Sequence, residues 1–359
     1  MPTLSNTYGK HRFWEAVPGA LVWTTILLAV VLSFIQPVIV IVFIIVFDLY
    51  WLFRVGYFVI FLLISWRRYH KTAKKDWMDE LRMLSGWERL HHVVFLPTYK
   101  EEMEIIRATF RSLAATSFPK ERMIVVLCGE ERDHERFRKN AALVEQEFGR
   151  TFRRIIVTEH PKGLSGEIPG KGSNLNYAGH AVKEVLEREF QNVLPDDIIV
   201  SAFDVDTVAH PQYFPYLSYV YLTTPDRTRA SYQPVALFAN NIWTATAPVR
   251  IAAFGTTFWL LGELSRAERL WTFSSHSMPW KMLMDVGFWQ KDIVSEDSRI
   301  FLQAFLHYHG NYRVVPLYLP VSMDTVTGAT YLESLGALYR QQRRWAWGVE
   351  HFPVMIEEF

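Results

Sequence analysis

Cysteine is nearly absent: Cys128 is the single one in 359 residues. That excludes an intrachain disulfide framework and a cysteine-rich zinc site, and it fits a reducing compartment for the folded part. Charge imbalance is missing as well. Lys and Arg total 38 against 37 Asp and Glu, a formal net charge of +1, so nothing in the balance calls for a nucleic-acid partner. Neither the Walker spacing nor the Rossmann glycine fingerprint occurs in the first half of the globular part, which leaves a P-loop nucleotidase or a nicotinamide enzyme without support. No small-residue cleavage site follows the first apolar run, so a removed signal peptide is not expected.

What the chain has in excess is apolar length and aromatic rings, with 13 Trp and 25 Phe. Residues 20–36 carry no charge, and residues 38–66 are apolar apart from Asp48 and Arg54. A membrane span needs about 20 apolar residues, so the two runs read as a helical hairpin turning at Gln36-Pro37. Basic residues flank both outer ends, Lys10, His11 and Arg12 before it and Arg67, Arg68, His70, Lys71, Lys74 and Lys75 after it. The positive-inside rule then puts both ends in the cytoplasm, with the cell (inner) membrane bilayer as a partner. Asp48 and Arg54, six residues apart, share no helix face; they are expected to meet other membrane helices or a thinned bilayer.

After a charged, amphipathic connector (67–90), short apolar runs alternate with helical patterns. Strands are expected near 93–96, 123–128, 154–158 and 198–203, with helices over 103–116, 133–147 and up to 190 between them, the layout of an α/β sheet. Further strands are expected over 229–237, 270–277 and 313–320, and helices over 300–309 and 331–351. The aromatic stretch 242–261 suits either core or membrane surface.

The run that organises the chain is 198–203, which leads into Asp204-Val205-Asp206. A continuous β-branched and aromatic run suits a central strand, and ligands of open α/β sheets bind beyond such strand ends. In an extended segment Asp204 and Asp206 project to one side, where like charges repel unless a cation lies between them. Magnesium or manganese would serve, since magnesium takes one or two carboxylates plus substrate phosphates. An isolated Asp-x-Asp is equally a solvated turn. Thr98, Tyr99, Glu101, Glu130 and Lys171 also fall at strand ends and would face the same crevice in a parallel sheet. Gln341, Arg344 and Trp345 follow i, i+3, i+4 spacing and share one helix face. A guanidinium fork suits pyrophosphate and an indole suits a sugar ring, although an ordinary amphipathic helix carries the same pattern.

Pro97-Thr98-Tyr99, Asp204-Val205-Asp206, Ser295-Glu296-Asp297 and Gln341-x-x-Arg344-Trp345, in that order, resemble the processive family 2 glycosyltransferases of the cellulose and hyaluronan synthase type. The resemblance covers residues 91 to about 352. It implies a GT-A fold, that is, a Rossmann-like mixed α/β sheet with helices on both faces, here behind a two-helix transmembrane hairpin. It also implies a UDP-sugar donor, Mg2+ or Mn2+, and inverting transfer to a polysaccharide or oligosaccharide acceptor. Carried over by position, Thr98, Tyr99, Glu101, Glu130, Lys171, Asp204, Gln341 and Arg344 would hold the nucleotide, and Asp204 and Asp206 the metal. Asp297 would be the base; Trp345, Ser275, His276 and Glu296 would meet the acceptor. The family usually has an Asp where Glu130 stands, which bears on the choice of base. Exporting members continue into more membrane helices, so further membrane helices or subunits are expected partners. The implied organisation is an N-terminal segment (1–18), the hairpin (19–66), the connector (67–90), a catalytic domain (91–328) and an interface helix (329–359). The rival readings are single-sugar transfer to a polyprenyl phosphate lipid, disfavoured by the Trp helix, and a catalytically silent scaffold that binds nucleotide sugar.

Overall fold

The computed structural model describes residues 4–358. Helix α1 (Leu4–Ile35) begins inside the expected N-terminal segment, of which residues 1–3 lie outside the described residues, as does 359 at the far end. Gln36 leaves the helical region and Pro37 opens α2 (Pro37–Thr72), which suits proline, whose missing N–H would be unpaired at a helix start anyway. Both helices are long and apolar enough to cross a membrane. In α2 the Arg54 guanidinium donates to the Tyr50 hydroxyl at 2.9 Å, and Asp48 is exposed.

The globular part follows in chain order. Helix α3 (Trp77–Arg82) precedes β1 (His91–Pro97), α4 (Met103–Ala114), β2 (Met123–Glu130), α5 (His134–Phe148) and β3 (Arg154–His160). Then come α6 (Lys171–Glu189), β4 (Ile198–Ala202), β5 (Val208–Ala209), α7 (Tyr213–Thr223) and β6 (Ala230–Phe238). The remainder comprises α8 (Ala247–Glu263), β7 (His276–Pro279), α9 (Trp280–Val286), α10 (Glu296–His307), β8 (Arg313–Met323), α11 (Tyr331–Ala346) and α12 (His351–Glu358). The eight strands form one sheet in the order β3-β2-β1-β4-β7-β6-β8-β5. β3, β2, β1 and β4 are parallel, β7 runs against both β4 and β6, and β8 is parallel to β6. This is the α/β layout the strand pattern called for, with the mixed strand directions that the resemblance implied.

Burial on both faces explains the continuous apolar runs. In β1, Val94 and Leu96 pack with α3, α4 and α5, while Val93 and Phe95 pack with α6 and α10 on the opposite face. Burying a Val, Leu or Phe side chain is worth about 1.5–3 kcal/mol, so each strand is held from two sides.

Two strand expectations need correction, while in the stretch 67–90 α2 runs on to Thr72, and Trp77, Met78, Leu81 and Leu90 join the core. Asp76 caps α3, accepting from Met78 N at 2.9 Å. Residues 270–275 do not form a strand. Ser275 takes a left-handed conformation (φ 62°) and Phe273 N donates to the Gln233 side chain at 2.7 Å, so β7 starts only at His276. Lastly, β8 runs past Pro320 to Met323, still paired with β6.

The hairpin is docked on the domain through α8. Arg68 Nη1 donates to Tyr318 Oη at 2.7 Å, and the Ser65 and Ser265 hydroxyls lie 2.5 Å apart. Gly262 permits the close approach, since a Cβ there would sit 2.4 Å from the Phe58 ring. The outer face of α8 stays exposed at Ile251, Phe254 and Phe258. Gly262→Val should lower the thermal unfolding temperature of the detergent-solubilised protein, on the scale of overpacking, about 1–3 kcal/mol. Adding Phe58→Ala should restore part of it; no recovery in the double variant would count against this contact.

Candidate active site

The topology brings many polar residues to one edge. β1, β2, β4, β6 and β8 all end there, and the reversed β7 begins there. The N-termini of α6 and α10 face the same edge with Lys171, Glu296 and Asp297, and a cleft of about 1170 Å³ opens between them. Thr98, Tyr99, Glu101, Glu130, Lys171, Asp204, Asp206, Glu296, Asp297, Gln341, Arg344 and Trp345 all line it. Ser275 and His276 do not: both are fully buried behind the wall, and Ser274 lines the cleft in their place.

Lys171 is the centre of the charge pattern. Its Nζ lies 2.7 Å from Asp204 Oδ1, 2.9 Å from Asp297 Oδ1 and 3.5 Å from Glu296 Oε1. Burial works against its charge, but Asp204, Asp297 and Glu296 outweigh burial and raise its pKa. Gly172 makes the approach possible, because a Cβ there would stand 2.8 Å from the Gln290 carbonyl on the loop that leads to Glu296.

The Asp pair is not on a strand. β4 stops at Ala202, and Thr207 N donates to Asp204 O at 2.9 Å, closing a turn. The alternation argument needs extended backbone, so it does not hold here, and the two carboxylates take different partners. Asp204 accepts from Ser274 Oγ as well as Lys171; burial opposes ionisation, yet Lys171, Ser274 and the nearby Arg344 charge lower its pKa. Asp206 Oδ2 accepts from Asp324 N at 3.0 Å, while its Oδ1 is buried without a partner. Burial and then the Asp204 charge push Asp206 up to about 7.

Among the described residues no three His, Cys, Asp or Glu side chains form a ready-made metal cluster. Two carboxylates, one with an unused buried oxygen, still fit a divalent ion whose remaining ligands come from a phosphate substrate and water.

The loop after β1 is folded by Glu101, whose Oε2 accepts from Thr98 Oγ1 at 2.7 Å and Tyr99 N at 2.5 Å. Burial raises the Glu101 pKa against these bonds. Arg132 stacks on the Tyr99 ring, 4.5 Å from its centroid, and donates to Glu130 through Nε at 2.7 Å. Glu130 is therefore a buried, paired carboxylate at the tip of β2.

On α11 the expected face is realised: Gln341, Arg344 and Trp345 line the cleft and Arg343 does not. The Trp345 ring lies 6.0 Å from Phe238. The helix is shorter than its pattern, ending at Ala346 before a single 3-10 turn. Sequence reasoning missed two parts of the site. Asp324 lines it because β8 is longer than expected, and burial raises its pKa. The other part is an apolar wall of Trp259, Leu260, Trp271, Phe273, Phe352 and Met355. Only aromatic richness hinted at that wall.

With this arrangement described, residues 199–357 match the family model described as glycosyl transferase family group 2. The match covers 159 of the 359 residues. It spans the Asp204 turn, the Glu296-Asp297 turn and α11. No curated protein matches the chain. Among solved structures, the chain is similar to a mannosyltransferase from Pyrobaculum calidifontis in complex with GDP-Man and Mn2+, at 15% identity and TM-score 0.43, covering 80% of this chain and 73% of that one. It is also similar to S. aureus TarS 1-349 in complex with UDP-GlcNAc, at 15% identity and TM-score 0.41, covering 67% and 62%. A third is glucosyl-3-phosphoglycerate synthase from Mycobacterium tuberculosis with Mg2+ and UDP, at 17% identity and TM-score 0.39, covering 74% and 80%.

Burial and then the Asp297 charge push Glu296 up from 4.5 to about 7. A raised acid holds its proton longer when folded, so its favourable contribution to stability is full below 4.5 and is lost as pH rises towards 7. The unfolding free energy of the parent, taken relative to Glu296→Gln in chelator, should therefore fall between those two pH values. A flat difference would mean that Glu296 is not held protonated by this cluster.

Proposed function

We propose that the protein is a membrane-anchored, inverting glycosyltransferase that moves a sugar from a UDP-sugar onto a growing polysaccharide or oligosaccharide, with its catalytic domain in the cytoplasm. The observation that carries this reading is that Asp297, 93 residues beyond Asp204 in the chain, meets Asp204 across the single Lys171 ammonium. An inverting transfer needs acids in two places. One set serves the leaving diphosphate, and one carboxylate takes the acceptor proton on the opposite side.

In this mechanism Thr98, Tyr99, Glu101 and Glu130 form the shelf for the nucleotide. Asp204 and Asp206 would hold Mg2+ or Mn2+, which supplies positive charge to the leaving diphosphate when bound. Arg344 and Gln341 approach the diphosphate from α11, the guanidinium as a planar fork. Donor binding brings new negative charge to Lys171, which competes with Asp297 for the ammonium and frees the carboxylate. Asp297 then takes the proton of the acceptor hydroxyl as its oxygen bonds to the anomeric carbon. The bond to the diphosphate breaks on the far face and UDP leaves. Trp345 offers its indole face to the acceptor sugar.

A second reading has a specific observation behind it. The apolar wall of the cleft includes Phe352 and Met355 of α12, and Phe352 packs on Trp14 of α1, ring centroids 6.2 Å apart. Such a wall suits a lipid-borne acceptor such as a polyprenyl phosphate, delivered from the bilayer. Product analysis separates the two acceptors.

Asp297→Asn keeps the shape and cannot take a proton, so it should bind UDP in manganese as the parent does and lose transfer by about 100-fold or more. Asp206→Ala should instead lose the metal-dependent part of UDP binding measured by calorimetry. Near-parental transfer by Asp297→Asn would remove it as base; unchanged UDP affinity in Asp206→Ala would remove Asp206 as a metal ligand.

A further inference from the structure

The turn that carries Glu296 and Asp297 is gripped from both sides by residues just beyond α11. Ser295 Oγ, immediately before the pair, donates to Glu350 Oε1 at 2.6 Å. Ser298 Oγ, immediately after it, lies 2.7 Å from His351 Nε2, which is also 3.5 Å from Ser295 Oγ. The His351 ring stacks on Trp271, 5.7 Å between centroids and 22° between planes. The next residue, Thr272, donates to the Asp297 carbonyl at 2.6 Å.

The chemistry of this clasp is asymmetric. His351 is buried, and burial followed by the Arg299 charge lowers its pKa to about 4, so the ring is neutral. The Ser298 hydroxyl also reaches the Ser295 carbonyl at 3.2 Å, which can accept its proton. Nε2–H of His351 then donates to Ser298, leaving Nδ1 as a bare acceptor, and Nδ1 is a buried atom without a partner. Ser295 occupies the cap position of α10 yet makes no side-chain capping bond there. A serine cap is ordinarily worth about 1 kcal/mol to its helix. Here the hydroxyl is directed outward to Glu350 instead, a choice that favours orientation over helix stability.

Resting on the reading of Asp297 as base and of α11 as the diphosphate-facing helix, we propose that Glu350 and His351 are positioning residues. They tie the end of α11 to the first turn of α10 and so set the distance between the Asp297 carboxylate and the donor. Neither reaches the acid cluster itself; both act through Ser295 and Ser298.

The test compares four variants of the full chain in detergent. Turnover is read as UDP release with whichever of UDP-glucose, UDP-galactose and UDP-N-acetylglucosamine the parent turns over fastest. His351→Phe keeps the stack on Trp271 and removes the bond to Ser298; Glu350→Ala removes the acceptor for Ser295. Each should lower kcat by about tenfold to a hundredfold, the scale of a misplacement of an ångström or less, with donor KM within about twofold of the parent. His351→Gln, whose amide nitrogen can stand near the Nε2 position, should recover most of the loss. Parental kcat in both His351→Phe and Glu350→Ala, with Asp297→Asn inactive, overturns the clasp while leaving the base reading intact. His351→Gln as impaired as His351→Phe also overturns it, because a structural role alone would then suffice. Parental turnover in Asp297→Asn overturns the base reading and the clasp with it. Should His351→Phe fail to fold, Glu350→Ala decides by the same kcat and KM split.

Discussion

One ammonium holds the site together. Lys171 bridges Asp204 and Asp297, with Glu296 at 3.5 Å, so three carboxylates from two distant segments converge in a largely buried space. Without it, three acids drawn together in a low-dielectric pocket would have to protonate or separate. The same contact fixes which acids ionise. Asp204, directly on the lysine, is held ionised, while burial and a charged neighbour push Asp206 and Glu296 each up to about 7. Any ligand that competes for Lys171 therefore changes the state of the whole cluster.

The fold was largely legible because its signals are local. The apolar runs at 93–96 and 123–128 could be buried on both faces, and the sheet buries them so. The spacing of Gln341, Arg344 and Trp345 placed them on one helix face, and that face lines the cleft. Signals that depend on tertiary context were not legible. Alternation placed Asp204 and Asp206 side by side, but a turn begins after Ala202 and separates their partners. The run 270–275 has strand composition, yet a left-handed Ser275 and the Gln233 side chain take its hydrogen bonds. Asp324 could not be singled out without knowing that β8 continues to Met323. The clasp from Glu350 and His351 joins residues more than 50 positions apart and has no periodic signature.

The two apolar helices and the cleft share walls. α2 packs on α8, α1 packs on α12, and both α8 and α12 contribute side chains to the cleft. A hairpin embedded in lipid would hold the apolar end of the cleft near the bilayer and the acid cluster on the aqueous side. That arrangement suits a reaction that joins a soluble, charged donor to an acceptor kept close to a membrane. It also gives the aromatic surplus of the sequence a use beyond the core, since Trp259, Trp271 and Trp345 all face the cleft.

The central claim is that the cluster around Lys171 transfers sugar from a nucleotide donor. The most direct measurement is release of nucleoside diphosphate by the detergent-purified protein from a panel of UDP- and GDP-sugars, with manganese, with magnesium and with chelator. The account predicts release from at least one UDP-sugar that needs the metal and stops in chelator. Absence of both release and binding across the whole panel, from protein that remains folded, would contradict it.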